Sequence, residues 1–96
     1  MAAAITGATT QQASPNAGYK IECIVTPATA DSNDTIDVSS AAATGGATFT
    51  TILGILGAFD NTTGDEVTAT WSGTTITIDA SGGTTDHTYC IFVVGV

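Results

Sequence analysis

From residue 19 onward the apolar and polar positions alternate. Tyr19-Lys-Ile-Glu-Cys-Ile-Val-Thr26 sets Tyr19, Ile21, Cys23 and Val25 against Lys20, Glu22, Ile24 and Thr26, the period-two pattern of a strand with two unlike faces. Pro27 ends it, because proline cannot donate to a ladder. Asp34-Thr-Ile-Asp-Val-Ser39 is a second short strand with Ile36 and Val38 on one face. Glu66-Val-Thr-Ala-Thr-Trp71 aligns Val67, Ala69 and Trp71, and Thr74-Thr-Ile-Thr-Ile-Asp79 aligns Ile76 and Ile78. Between these two runs Ser72-Gly73 predicts a tight hairpin. The last segment, residues 87–96, is apolar on both faces from Tyr89 to Val94, as a strand inside a sheet would be.

Residues 49–59 fit two periods. Ile52, Ile55, Leu56 and Phe59 have helical spacing. Gly54 and Gly57 oppose a helix, each by up to ~1 kcal/mol relative to alanine, and no cap precedes the run. A strand bent or bulged at the two glycines is the better fit. Residues 41–46 and 60–65 read as turns, and residues 81–86 as a glycine-rich loop. About six short strands with Gly- and Asx-rich turns predict an all-β fold, a small antiparallel β-sandwich or partly open barrel. Its expected core is Val67, Ala69, Trp71, Ile76, Ile78, Ile91 and Val93.

Residues 1–18 have a different character. They are low-complexity, built mostly of Ala, Thr, Gln and Gly with one Ser, and Ile5 is the one sizeable aliphatic residue after Met1. They read as an extended N-terminal arm or short edge segment preceding a single β domain over residues 19–96. Such an arm supplies almost no core, so its removal should spare folding and weaken assembly.

Charge narrows the possible partners. The 96 residues hold nine carboxylates against one lysine and no arginine, for a net charge of −8. Phosphate binding needs Lys and Arg to release counterions, so nucleic acid and anionic membrane are excluded as partners. No apolar run approaches the ~20 residues of a spanning helix, and residues 1–10 lack a secretory pattern.

Candidate chemistry is sparse. His87 follows Asp86, and no serine lies in a nucleophile elbow, so a triad is not indicated. The acids do not converge as a glycosidase pair would. Asp31-Ser-Asn33-Asp34 and Asp60-Asn61-Thr-Thr-Gly64-Asp65-Glu66 gather oxygen ligands of the kind calcium takes, but Asx residues are also what β-turns require, and no EF-hand loop is present. Thr68/Thr70 and Thr75/Thr77 stand at outward strand spacing without a longer repeat. Cys23 and Cys90 either pair as a disulfide or pack as small hydrophobes, and with one histidine they make a poor zinc site. No catalytic, cofactor-binding or metal-binding residues are assigned, no cofactor is expected, and the chain is not read as an enzyme.

The Asp34-Thr-Ile-Asp-Val-Ser opening, the Thr50-Thr-Ile-Leu-Gly strand, the Trp71-Ser-Gly-Thr-Thr-Ile-Thr-Ile hairpin and the apolar final strand ending near Gly95 resemble small all-β virion proteins of tailed phages and archaeal viruses. These include the capsid decoration or cement proteins. The resemblance spans residues 34–96. It implies a structural protein on the outside of a virion, a homo-oligomer, often a trimer, seated on a major capsid protein lattice, with no catalytic residues. An acidic protein suits the outside of a shell that holds DNA. The second reading is a subunit of an extracellular filament or surface layer assembled by β-strand exchange.

Overall fold

The computed structural model describes residues 4–16, 19–46, 48–80 and 86–96. In chain order it holds β1 (Thr9–Asn16), β2 (Tyr19–Val25), β3 (Thr35–Asp37), α1 (Ala41–Thr44), β4 (Ile52–Asp60), β5 (Thr68–Ser72), β6 (Thr75–Asp79) and β7 (Tyr89–Gly95). These strands make two antiparallel sheets, ordered β1-β2-β7-β4 and β3-β6-β5. They pack as a sandwich and do not close into a barrel.

The core lies between the sheets. Ile24, Ile91 and Val93 from the larger sheet and Ile36, Ile76 and Ile78 from the smaller are fully buried, with Val38, Phe49 and Tyr89. Each such aliphatic side chain contributes roughly 1.5–3 kcal/mol over an exposed one. Of the expected core, Ile76, Ile78, Ile91 and Val93 are buried, and Val67 and Ala69 are half-buried against it. Trp71 is a correction: it is 43% exposed. It shares a face with buried Ile76, its register partner, but β5 is the outer strand of the small sheet.

The segment read as an extended arm or short edge segment is an edge strand built into the fold. Residues 9–16 form the outer strand of the larger sheet, in register with β2 from Thr9↔Val25 to Asn16↔Tyr19. Ile5 and Ala8 are buried in the core. The Ile5 N–H donates to the Thr35 carbonyl at 2.6 Å and the Ala8 N–H to that of Ala43 at 3.1 Å. This segment therefore runs from the small sheet across to the large one and closes that side of the sandwich. Gly45, which ends α1 at φ 80°, lies so close to the Ala8 carbonyl that a Cβ would collide with it.

Residues 52–60 are a strand, as the glycines imply, and its ladder with β7 slips between Ile52 and Gly54 and again between Ile55 and Gly57. The β5–β6 turn is tight but lies one residue later than predicted. Ser72 pairs with Thr75, so Gly73 and Thr74 form the turn. Gly73 has φ 61°, the left-handed backbone that the first position of a primed hairpin turn needs.

Candidate docking surface

Alternation along β7 sends Ile91 and Val93 into the core and Cys90, Phe92 and Val94 to the opposite side. Register places Ile21 beside Val94, Cys23 beside Phe92 and Val25 beside Cys90. On the other flank Gly54 lies beside Val94, Gly57 beside Phe92 and Phe59 beside Cys90. The outer face of the larger sheet is thus apolar across β2, β7 and β4, and these positions carry no charge. Phe59 meets Phe92 edge to face, with ring centroids 6.3 Å apart at 81°.

The slips in β4 extend this surface. At each one an extra residue, Leu53 or Leu56, opposes no partner, and both project into solvent, 58% and 65% exposed. Phe59 and Tyr19 are also exposed. Gly54 and Gly57 add no side chain of their own on β4, and the Phe59 ring lies against Gly57.

The core-facing row of β2 is the more polar one. Glu22 and Thr26 are buried with Ile24. The Thr26 hydroxyl accepts the Tyr89 N–H at 2.9 Å. Lys20 Nζ donates to the Thr48 carbonyl and stands 5.1 Å from the centre of the Phe49 ring. The row Ile21, Cys23, Val25, which is richer in apolar groups, faces outward. The small sheet does the reverse. Its outer face carries Thr35, Thr70, Thr75 and Thr77 with Asp37 and Asp79, and its apolar row points inward.

The other candidate groups have structural employment. Asp60 is buried where β4 ends. Its Oδ1 accepts the N–H groups of Thr62 at 2.9 Å and Thr63 at 3.2 Å, and its Oδ2 lies 2.6 Å from Nδ1 of His87. Burial pushes this carboxyl up, but the His87 bond and the two backbone donors outweigh it and hold the pKa below the ordinary aspartate value. His87 is thereby a strut between the β4 end and the β7 start. No serine or threonine hydroxyl is placed on its far nitrogen among the described contacts. In the other Asx turn, Asp34 Oδ2 accepts the Asp31 N–H at 2.8 Å and Asp31 Oδ1 accepts the Asp86 N–H at 2.8 Å. Both oxygen-rich runs thus spend carboxylate oxygens on hydrogen bonds within their own turns and to residues 86–87. Among the described residues no three His, Cys, Asp or Glu side chains are placed to hold a metal ion. A cleft of about 220 Å³ beside residues 4–6 is lined by Pro27, Thr29, Ala30 and Asp34, with Asp34 the only ionisable group among the described residues that line it.

Cys23 and Cys90 occupy diagonal outward positions on β2 and β7, with their sulfurs 2.8 Å apart. Burial, then the hydrogen bond and charge of Cys23, push the Cys90 thiol up to about 12.

The sequence reading missed Leu53, Leu56, Phe59 and Phe92 as surface residues. The available signal was a terminal strand apolar on both faces beside a strand with apolar residues in both rows. Compared with known protein families, curated proteins and solved structures, the chain matches none.

Proposed function

We propose that this chain is a structural subunit, not an enzyme, that attaches through the outer face of its larger sheet to a protein assembly. The observation that carries this reading is the composition of that face, which is apolar across three strands and bordered along β4 by exposed Leu53, Leu56 and Phe59. A contiguous apolar patch of this kind marks a site covered by another protein. The net charge of −8 opposes any phosphate-bearing partner. Taken with the resemblance to capsid decoration proteins, the assembly is a major capsid protein lattice, and the chain sits on the outer surface of the virion as a homotrimer.

The strand-exchange filament draws less support. Both outer strands of the larger sheet are irregular, β1 with a register slip between Gln12 and Ser14 and a proline at position 15, β4 with its two bulges. Bulges and edge prolines oppose the addition of a further strand. The N-terminal segment, the natural donor, already pairs within its own sheet.

Leu56→Asp tests the reading. The residue is exposed, so folding stability should change by no more than about 0.5 kcal/mol. Self-association in sedimentation velocity and co-sedimentation with particles from the native source should fall at least tenfold. A wild-type chain that stays monomeric at all concentrations and binds no particle would refute the proposal.

A further inference from the structure

We propose that Cys23 and Cys90 are a built oxidation site, closing to an intramolecular disulfide that staples β2 to β7 across the outer face of the sheet. The two sulfurs stand 2.8 Å apart, closer than thiols in ordinary van der Waals contact. β2 and β7 are hydrogen-bonded neighbours in continuous register from Lys20↔Gly95 to Val25↔Cys90, and this ladder holds the two sulfurs close together. Both side chains point to the same side, on a diagonal two register positions apart along the ladder. No metal cluster claims them among the described residues. The cysteines lie 67 positions apart in sequence, so the bond would close a long loop and remove much freedom from the unfolded chain.

The co-reactant is a low-molecular-weight disulfide, RSSR. Cys23 is the more exposed sulfur and meets it first. The Cys23 thiolate attacks one sulfur of RSSR, expels RS⁻ and forms a mixed disulfide. Cys90 then loses its proton and attacks the Cys23 sulfur, forming the internal bond and expelling the second RS⁻. Two thiols and one RSSR become one protein disulfide and two RSH, so two electrons and two protons leave the protein. The second step is held back near neutral pH, because burial disfavours the Cys90 thiolate even when Cys23 is already in the mixed disulfide. The closure rate should therefore climb with pH from 7 to 9.

Oxidised glutathione is the probe. The full chain is incubated with it, unfolded, alkylated and weighed. The expected product is 2 Da lighter than the dithiol, takes up no alkylating reagent, and yields a Cys23–Cys90 cross-linked peptide on digestion. Its melting temperature should exceed that of the reduced chain by on the order of 10 °C. The double variant C23A/C90A should melt at one temperature with or without the oxidant. Two alkylated cysteines after prolonged incubation, a stable glutathione adduct, or a bond between two chains would each overturn the inference. The measurement reads covalent state alone, so its outcome is independent of whether the surrounding face docks on a lattice.

Discussion

Asp60 and His87 lie 27 residues apart in sequence and 2.6 Å apart in space, and neither position advertises the other in the chain. Asp60 looks like one more turn aspartate, and His87 like a solvent-facing residue at a strand start. What distinguishes Asp60 is burial, and burial follows from the path of β4 into the 61–67 connection, which local pattern does not report. Asp60→Ala leaves two backbone N–H groups and the His87 ring without their acceptor, and should cost about 3 kcal/mol in a urea titration. A loss below about 0.5 kcal/mol would show that water replaces the carboxylate. The folded pKa of Asp60 lies below the ordinary 3.8, so its stabilisation is complete above that value and is lost as pH falls through the lower folded pKa. In Asp60→Asn the acid limb of the stability profile should flatten below pH 4. Trp71 teaches a second residue-scale lesson. Alternation assigns a side chain to a face, and Trp71 is indeed on the inward face, but its exposure depends on whether its strand is central or marginal, which is a property of the sheet.

At the scale of elements, the strands from β2 to β7 were legible because their turns carry strong backbone preferences and their apolar positions recur at intervals of two. The glycines at 54 and 57 announced bulges, and the bulges are there. Less legible was β1. Its residues are small or polar, and it is placed in the sheet by pairing with β2 along its length. Pairing of that kind leaves no hydrophobic period to read. Because Ile5 and Ala8 enter the core, deletion of residues 1–16 should lower the melting temperature by 10 °C or more, by the roughly 4–8 °C per kcal/mol of a domain this size. A truncated chain that melts with the full one would return this segment to the role of a detachable arm. The surface on β2, β7 and β4 was half visible: the apolar residues could be counted, but which of two apolar rows faces outward is decided by the packing of the second sheet.

For the whole molecule, the division of labour is between two unlike exteriors. The small sheet shows threonine and aspartate to solvent, the large one aliphatic and aromatic carbon, while Asp31, Asp34, Asp60 and Asp86 gather in the linked turns at one end. Lys20 stands toward the other end, drawn to the Thr48 carbonyl and the Phe49 ring. It is the only lysine, and there is no arginine, so trypsin has a single bond to cut, Lys20–Ile21. That bond lies within β2, paired to Pro15 on one flank and Gly95 on the other. A protease must extract the strand from both neighbours before it can fit the chain into its active site. Tryptic digestion therefore becomes a one-bond gauge of sheet opening. The cut should be slow in buffer, should accelerate with urea in step with global unfolding, and should release two fragments only. A fast cut insensitive to urea would show that the β1–β2 end of the sheet opens by itself.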